Sequence, residues 1–490
     1  MRLAFVQDRV HKPTTMSTYA HTKIVATIGP SSEPLIGEMI DAGMSVARIN
    51  FSHGEAEDHR RRILKVREEA ERRNTFVSVL ADIQGPKLRL GLVKGGKRRV
   101  RKDERLCLKE GKGPDEDGEL YFDFPGFLDL VRPGHRVFLA DGVVELVVEE
   151  ANRDSLVGRV VRGGGFGDRK GVSLPDTELS LELPTPKDRV DLELARELQA
   201  DLIGASFICD ADDVVRIRAL SPPDALIVAK IERAPALERI EEILEKADGI
   251  MIARGDLGVE VELEQLPMWQ KTLTAAARKA GRFSITATEM LESMQHAPRP
   301  TRAEAADVAN AVLEGSDAVM LSAETAVGEY PVESVATMAS IANAVEHSDQ
   351  YQQLPRVQFL NADSEFSNAM ARAAVESSEE LGIDHIVCFT ETGYTARLVS
   401  RYRPSARVIA LSPRQSTLRR IGVLAHVTPV AFPEATGLEQ MLTTASDLLV
   451  KQGYLENGDE IVFIAGVPPG KTHSTNLIKL HRIGESIQFT

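Results

Sequence analysis

The sequence lacks any apolar stretch long enough to cross a bilayer. No uninterrupted apolar run in its 490 residues approaches the ~20 residues that a membrane-spanning helix needs. The N-terminal stretch MRLAFVQDRVHKPTT also lacks the continuous apolar segment of a signal peptide. We therefore expect no membrane partner and a cytoplasmic location.

Cysteine is scarce as well, and the three that occur follow no metal-ligand spacing. Cys107, Cys209 and Cys388 are widely separated, which indicates reduced structural thiols rather than a zinc site. The sequence also has no repeat of fixed period and no low-complexity tract, so solenoids and propellers are excluded.

Basic residues are fewer than acidic residues. The 59 lysine and arginine residues are outnumbered by 73 aspartate and glutamate residues, which gives a net charge of −14. This balance disfavours nucleic acid as a partner. A phosphate-bearing substrate would need a local cluster of cations, for which Arg48, Arg89, Lys170 and Lys230 are candidates.

The pattern of apolar runs predicts the fold. The length indicates two to four domains, and 43% hydrophobic residues are enough for several cores. Eight apolar runs alternate with helical sequence: KIVATI, SVARINF, FVSVLADI, LIGASFI, IVAKI, GIMIA, FSITA and AVMLSA. Such a series predicts an α/β fold with a closed (β/α)8 TIM barrel, whose chemistry lies at the carboxyl ends of the strands.

Two further regions depart from the barrel pattern. Short alternating runs separated by GGK, GKGPDEDG, DG and RGGGFGDRKG predict a small inserted β-barrel lid domain with hairpin turns. The runs HIVCFT, RVIALS, VTPVAF and EIVFIAG predict a C-terminal α/β open-sheet domain. We expect a mobile N-terminal extension over residues 1–21, the barrel over 22–86 and 185–350, the lid over 87–184 and the C-terminal domain over 351–490.

Charged residues converge in the middle of the chain. ALIVAKI and GIMIA flank a helical stretch and predict two parallel strands. Lys230 and Glu232 share one face at the end of the first strand, and Asp256 follows the second. An isolated K-x-E would more often be a simple ion pair. Here Gly255 and Gly258 bracket Asp256 and favour a divalent cation beside a phosphate.

The motifs resemble those of the pyruvate kinase family from about Thr22 onward. The resemblance is carried by K-I-E and DGIMIARGDLGVE, together with TKIVATIGPSS, ARINFSHG, DIQGPKLR, TEMLES, PRPTRAEAADVANAV and VMLSAETAVGEYP. It implies transfer of the phosphoryl group of phosphoenolpyruvate to ADP, giving pyruvate and ATP in the final step of glycolysis. It also implies Mg²⁺ as cofactor, with Mn²⁺ as an alternative, and a homotetramer.

The resemblance assigns roles to individual residues. Lys230 would stabilise the phosphoryl group and the enolate, and Arg48 would grip the substrate phosphate with its forked donors. Glu232 and Asp256 would hold the divalent ion, and the amides of Gly255 and Asp256 would meet the substrate carboxylate. Thr288 would help to protonate the enolate through water, although a helix N-cap is a compatible reading. We also expect Glu324 near the site.

The resemblance further implies a monovalent cation site and a nucleotide site. The oxygen ligands of the monovalent ion would come from Asn50, Ser52, Asp82 and Ile83, with Arg48, Asn50 and Ser52 on one face of a strand. The nucleotide would be contacted by Asn50, His53, Arg89 and, from the lid, Lys170, with Asp141 as a further lid residue.

Lys87 departs from the family pattern. Many members have an acidic residue here, and Thr and Lys where this chain has Ile83 and Gln84. Because an ammonium can supply the positive charge of a bound K⁺, we predict that K⁺ is not required.

The loop TETGYT resembles the effector loop of the family. Thr390, Thr392, Gly393 and Thr395 suit a phosphate cradle, whereas Glu391 would repel phosphate. Fructose 1,6-bisphosphate is therefore disfavoured as the effector. The effector could instead be a sugar monophosphate or AMP, or the chain could have none.

Two other functions share part of this pattern with a kinase. A metal-dependent barrel lyase or aldolase acting on pyruvate-like enolates would need the carboxylates but neither a nucleotide lid nor Arg48. A non-catalytic regulatory relative would be expected to lack Lys230, Glu232, Asp256 or Arg48, and all four are present.

Overall fold

The structure is a computed structural model that describes residues 20–116, 118–179, 181–353, 365–435, 437–467 and 474–486. Eight parallel strands form a closed barrel: β1 (Lys23–Thr27), β2 (Met44–Asn50), β3 (Ser78–Asp82), β4 (Leu202–Ala205), β5 (Leu226–Ile231), β6 (Gly249–Ala253), β7 (Phe283–Ala287) and β8 (Ala318–Leu321). Their order around the barrel is β1-β8-β7-β6-β5-β4-β3-β2. The predicted barrel is confirmed.

Helices cover the outside of the barrel. Thr185 and Thr301 begin two of them with capping boxes, in which the threonine side chain accepts from the backbone N–H three residues later. The α-helices of this part of the chain are Ile36–Asp41, Ala56–Arg72, Pro186–Glu197, Ala211–Leu220, Ala234–Glu238, Ile240–Lys246, Arg254–Leu257, Leu266–Lys279, Arg302–Glu314, Ala323–Ala326, Pro331–Glu346 and Asp349–Gln352.

Several strands are shorter than the sequence predicted. β2 ends at Asn50, so Ser52 lies beyond the strand and does not continue its face. β4 ends at Ala205, because the chain turns at Phe207, whose φ is +60°. The apolar pattern runs on through residues that leave the sheet to form the loops at the barrel mouth.

The insertion is built from β-strands, as predicted. They are Lys97–Val100, Arg105–Glu110, Glu119–Phe122, Arg136–Leu139, Val144–Ala151, Leu156–Arg162, Gly164–Gly167 and Val172–Ser173, with one short helix, Phe127–Leu130. Asp141 and Gly142, with φ of 55° and 84°, turn an antiparallel hairpin. The stretch GKGPDEDG instead joins two parallel strands, Arg105–Glu110 and Glu119–Phe122, so its predicted hairpin is wrong.

The C-terminal domain is an open sheet in the order β11-β10-β9-β12-β13. Its strands are β9 (His385–Phe389), β10 (Arg407–Ser412), β11 (Val427–Ala431), β12 (Glu460–Gly466) and β13 (Thr475–Arg482). Its helices are Glu365–Leu381, Tyr394–Ser400, Gln415–Arg420 and Leu438–Lys451. The last strand, antiparallel to β12 at the sheet edge, was not predicted because its apolar residues do not alternate regularly.

The C-terminal domain packs against the amino ends of the barrel strands. Buried Asp201 accepts the N–H of Val79 and pairs with Arg67 at 2.7 Å and with Arg419 of the C-terminal domain at 3.0 Å. Residues 1–19 of the expected extension lie outside the described residues, whereas the N–H of His21 donates to Glu346 at 2.7 Å. In the described ranges, no helix has the length and apolar character needed to span a membrane.

Candidate active site

A chain of alternating charges crosses the barrel mouth. Nε of Arg48 donates to Oδ2 of Asp82 at 2.7 Å. Nζ of Lys230 lies 3.1 Å from the other oxygen of Asp82 and 2.9 Å from Oε1 of Glu232. These four side chains come from the ends of β2, β3 and β5. Parallel strands bring them together although Arg48 and Lys230 are far apart in the sequence.

Burial and neighbouring charges set the protonation of this chain of charges. Burial lowers the pKa of Lys230, but Asp82 and Glu232 outweigh it, so the pKa of Lys230 is raised and the ammonium stays charged. Burial raises the pKa of Asp82, and Lys230 and Arg48 reverse this, so its pKa is lowered. Burial raises the pKa of Glu232; the Lys230 ammonium opposes this rise, and the negative charge of Asp256 adds to it, so the pKa is raised on balance.

Asp256 is bound by a different lysine. It lies in the single-turn helix Arg254–Leu257 after β6, and its Oδ1 accepts from Nζ of Lys87 at 2.8 Å. Burial lowers the pKa of Lys87, but Asp256 and then Asp141 and Glu232 reverse the effect, so it is raised. The Lys87 ammonium therefore binds Asp256 directly, and the charge of Glu232 makes a smaller contribution to its raised pKa.

The donor set at this point suits Mg²⁺. Oε2 of Glu232 accepts the N–H of Phe207 at 2.8 Å, which fixes the orientation of the carboxylate. Among the described residues no group of three or more His, Cys, Asp or Glu side chains is arranged to hold a metal. Two carboxylates are sufficient for Mg²⁺, because substrate oxygens and water usually complete its coordination. Glu232 and Asp256 fit this pattern.

Thr288 sits in strained backbone directly after β7. Its φ is +69°, a value that a β-branched residue rarely adopts, and the next residue, Glu289, also has a positive φ of +54°. Its hydroxyl donates to the carbonyl of Ala287 at 2.6 Å and accepts the N–H of Gly255 at 2.8 Å. Thr288 is not a helix N-cap, because Leu291 precedes the following short helix. Glu324, fully buried, holds the same loop by accepting the N–H of Leu291 at 3.1 Å.

The expected monovalent-site residues lie on the β2 and β3 side. Oδ1 of Asn50 accepts the N–H of Ser52 at 3.0 Å, so these two residues form a local turn. The carbonyl of Ile83 accepts the hydroxyl of Ser206 at 2.7 Å, and that hydroxyl also accepts from Lys230 at 2.7 Å. The oxygens of Asp82 are already engaged by Arg48 and Lys230.

The expected nucleotide residues gather where the lid meets the barrel. Partial burial lowers the pKa of His53, and Arg89, Arg48, Lys87 and Lys170 lower it further, so this imidazole is neutral at pH 7. Nη1 of Arg89 donates to the carbonyl of Arg169, beside the exposed Lys170.

Asp141 of the lid reaches the barrel mouth. Its Oδ1 lies 3.8 Å from Nζ of Lys87, although its side chain is 65% exposed. Asp141 therefore lies near the ammonium that binds Asp256.

The proposed effector loop follows β9. The N–H of Gly393, at φ +90°, donates to the hydroxyl of Thr390 at 3.0 Å. The hydroxyls of Thr395 and Thr475 lie 2.9 Å apart, whereas Thr392 is exposed. Glu391 pairs with Arg414 at 3.2 Å. β9 and β12 are adjacent where the strand order reverses, which is where open sheets bind ligands.

Sequence reasoning missed several residues that hold the site together. Ser206 and Phe207 bind Lys230 and Glu232, and their only signal was a polar residue at the end of an apolar run. Arg254 donates to Asp307 at 2.8 Å and to the carbonyl of Thr288 at 2.5 Å. Arg254 lies in the R-G-D-L-G motif, but its partners Thr288 and Asp307 are 34 and 53 positions further along the chain, so the motif does not reveal them.

Comparisons with known proteins agree with this geometry. The family profile described as "Pyruvate kinase, barrel domain" matches residues 19–335, and "Pyruvate kinase, alpha/beta domain" matches residues 368–481. The chain is 40% identical over 467 residues to a pyruvate kinase of Methylorubrum extorquens, covering 95% of this chain and 98% of the relative. It is 39% identical over 472 residues to that of Geobacillus stearothermophilus, covering 95% of this chain and 80% of the relative.

Proposed function

The chain belongs to the pyruvate kinase family, and we propose that the charges around Lys230 carry its reaction. The enzyme transfers the phosphoryl group of phosphoenolpyruvate to ADP in the final step of glycolysis. The observation that carries the proposal is the position of Nζ of Lys230, within 3.1 Å of buried Asp82 and 2.9 Å of buried Glu232. We place the enzyme in the cytoplasm, where glycolysis runs.

Arg48 and Lys230 supply fixed positive charge to the transferring group. A phosphorus–oxygen bond of phosphoenolpyruvate breaks, a bond to an ADP phosphate oxygen forms, and an enolate remains. Phosphoryl transfer asks a protein mainly for positioning and charge stabilisation. Asp82 holds both cations in place, and its lowered pKa keeps it an anion at neutral pH.

The family generally needs a divalent metal, and we propose Mg²⁺, with Mn²⁺ as an alternative. Glu232 and Asp256 would hold it, because they are the two carboxylates that follow the neighbouring strands β5 and β6, and two carboxylates with substrate oxygens suffice for such an ion. The bound ion would neutralise and orient the phosphoryl oxygens.

Thr288 is proposed to guide a proton to the enolate. Its hydroxyl is oriented by Ala287 and Gly255. A threonine hydroxyl has a pKa far from neutral, so a water relay is more plausible than direct donation. Once substrate is bound, we propose that the amides of Gly255 and Asp256 meet its carboxylate.

The insertion over residues 87–184 is proposed to act as a lid over the nucleotide. Asn50, His53, Arg89 and Lys170 would contact ADP, and the four cations around His53 support this assignment. Closing such a lid excludes water from the transferable phosphoryl group.

We propose that turnover does not require K⁺. Lys87 places an ammonium 2.8 Å from Asp256 and within the influence of Glu232. Asn50, Ser52, Asp82 and the carbonyl of Ile83 would otherwise offer oxygens to a monovalent ion.

A homotetramer and an effector site are proposed from the family resemblance. In the TETGYT loop Glu391 forms an ion pair with Arg414. We therefore propose a weak response to fructose 1,6-bisphosphate, because this guanidinium is already neutralised by a carboxylate and is less able to bind phosphate. Light scattering tests the assembly. Titrating a sugar monophosphate, AMP and fructose 1,6-bisphosphate against the phosphoenolpyruvate saturation curve tests the effector.

A coupled assay tests the function directly. Pyruvate formation from phosphoenolpyruvate should require both ADP and a divalent cation. Pyruvate release without ADP would instead favour a barrel lyase or aldolase.

A further inference from the structure

A buried ion pair joins the two chain segments that carry the carboxylates proposed to hold the divalent ion. Nε of Arg233 lies 3.0 Å from Oε2 of Glu260, and their side chains are 8% and 6% exposed. Arg233 is the residue after Glu232, and Glu260 is four residues after Asp256. The pair therefore joins the loop after β5 to the loop after β6.

Each partner is rigidly connected to one of the carboxylates. The N–H of Glu260 donates to the carbonyl of Leu257 at 3.0 Å, and the N–H of Val259 donates to the carbonyl of Asp256 at 3.3 Å. This tight turn leaves little freedom between Asp256 and Glu260. Arg233 begins the helix Ala234–Glu238, so the backbone next to Glu232 is fixed as well.

The other side of the Asp256 loop has its own attachment. Arg254 donates to Asp307 at 2.8 Å and to the carbonyl of Thr288 at 2.5 Å, which ties this loop toward β7. The Arg233–Glu260 pair ties it in the opposite direction, toward β5. The second attachment is the one that leads to the segment carrying Glu232.

We propose that Arg233 and Glu260 are positioning residues that set the separation of Glu232 and Asp256, and thereby the affinity for the divalent cation. The inference rests on the proposed metal site. Stability alone does not account for the pair, since a buried ion pair often stabilises a protein no more than apolar residues of similar size.

The test measures Mn²⁺ binding by electron paramagnetic resonance of the free ion, with thermal unfolding measured on the same samples. Arg233→Met and Glu260→Gln each leave one partner without its counterpart and should lower Tm. The double variant R233M/E260Q removes both charges, so its Tm should recover. Its Mn²⁺ affinity should remain at least about 10-fold weaker than wild type, as for other residues that orient metal ligands.

Wild-type Mn²⁺ affinity in the double variant at recovered Tm would overturn the proposal. If the double variant does not fold, R233K replaces it, compared with R233M at a temperature where both are folded. Near wild-type affinity in R233K and weak binding in R233M support the positioning role. Equal affinities in the two variants refute it.

Two controls separate this inference from its premises. Arg419→Met breaks a buried pair with Asp201 far from the site, and should lower Tm without changing Mn²⁺ binding. Glu232→Gln tests the metal site itself. If Mn²⁺ binds Glu232→Gln as tightly as wild type, the proposed metal ligands are wrong whatever the Arg233 variants show.

Discussion

Nζ of Lys87 lies 2.8 Å from Oδ1 of Asp256, although the two residues are 169 positions apart in the chain. Lys87 follows β3 at the start of the inserted domain, and Asp256 follows β6. The same ammonium lies 3.8 Å from Asp141 of the lid. A positive charge is therefore built into the point where lid, barrel and proposed metal ligand meet.

Lys87→Glu should make the enzyme depend on K⁺. The substitution replaces a fixed cation with an anion, so activity in Na⁺-only buffer should fall by about 10²-fold or more, as when one preorganised electrostatic group is lost, and K⁺ should restore part of it. Wild type should be equally active in both buffers. Lys97→Glu makes the same charge change at an exposed lid position and should have no effect. Strong activation of wild type by K⁺ would contradict the prediction.

Lys230→Met should lower kcat by about 10²- to 10³-fold, the range for removing one group that stabilises developing charge. Exchange of the pyruvate methyl protons in D₂O, followed by NMR, gives a second measurement, because it needs enolate stabilisation without phosphoryl transfer. It should fall in parallel. Lys271→Met removes a half-exposed lysine paired with Glu314 and serves as the control. Undiminished proton exchange in the Lys230 variant would rule out its role at the enolate.

The barrel and most residues of the proposed site could be predicted from the sequence, because both depend on local patterns. Strands buried on both faces, such as GIMIA, appear as short apolar runs, and the residues that follow them must meet at one barrel mouth. Contacts between distant segments left no such pattern. The fold pairs Lys87 with Asp256 and Arg233 with Glu260. In the sequence, nothing marks these residues as partners.

Two stacked histidines join the barrel to the C-terminal domain. The rings of His21 and His426 lie 4.6 Å apart, and the hydroxyl of Tyr351 lies 3.3 Å from Nε2 of His426. Burial, then His21, Arg403 and Lys23, lower the pKa of His426 well below 6.5. Burial also lowers that of His21, against the opposing effect of Glu346. Both histidines are therefore neutral in the folded protein.

Stability should decline as the pH falls below about 6.5. Above this pH the histidines are neutral in both states. Below it the unfolded chain takes up protons that the folded protein does not, so each histidine contributes a slope of at most about 1.4 kcal/mol per pH unit. Urea unfolding at a series of pH values measures this slope. His426→Phe should reduce it, whereas His296→Gln, at an exposed position, should not. An unchanged slope in His426→Phe would exclude this residue as the cause.

Asp201→Ala should destabilise the contact between the barrel and the C-terminal domain. The carboxylate is 2% exposed and accepts from Arg67, Arg419 and the N–H of Val79. Its loss leaves two guanidinium groups without their shared anion, and breaking a buried pair in this way typically costs about 3–5 kcal/mol. Denaturant unfolding measures the loss, and Glu460→Gln, which breaks the exposed pair with Arg482, should leave stability unchanged. Because Asp201 lies at the amino end of the barrel, KM for phosphoenolpyruvate should not change at a temperature where the variant is folded. A raised KM there would mean that the domain contact also affects the barrel mouth.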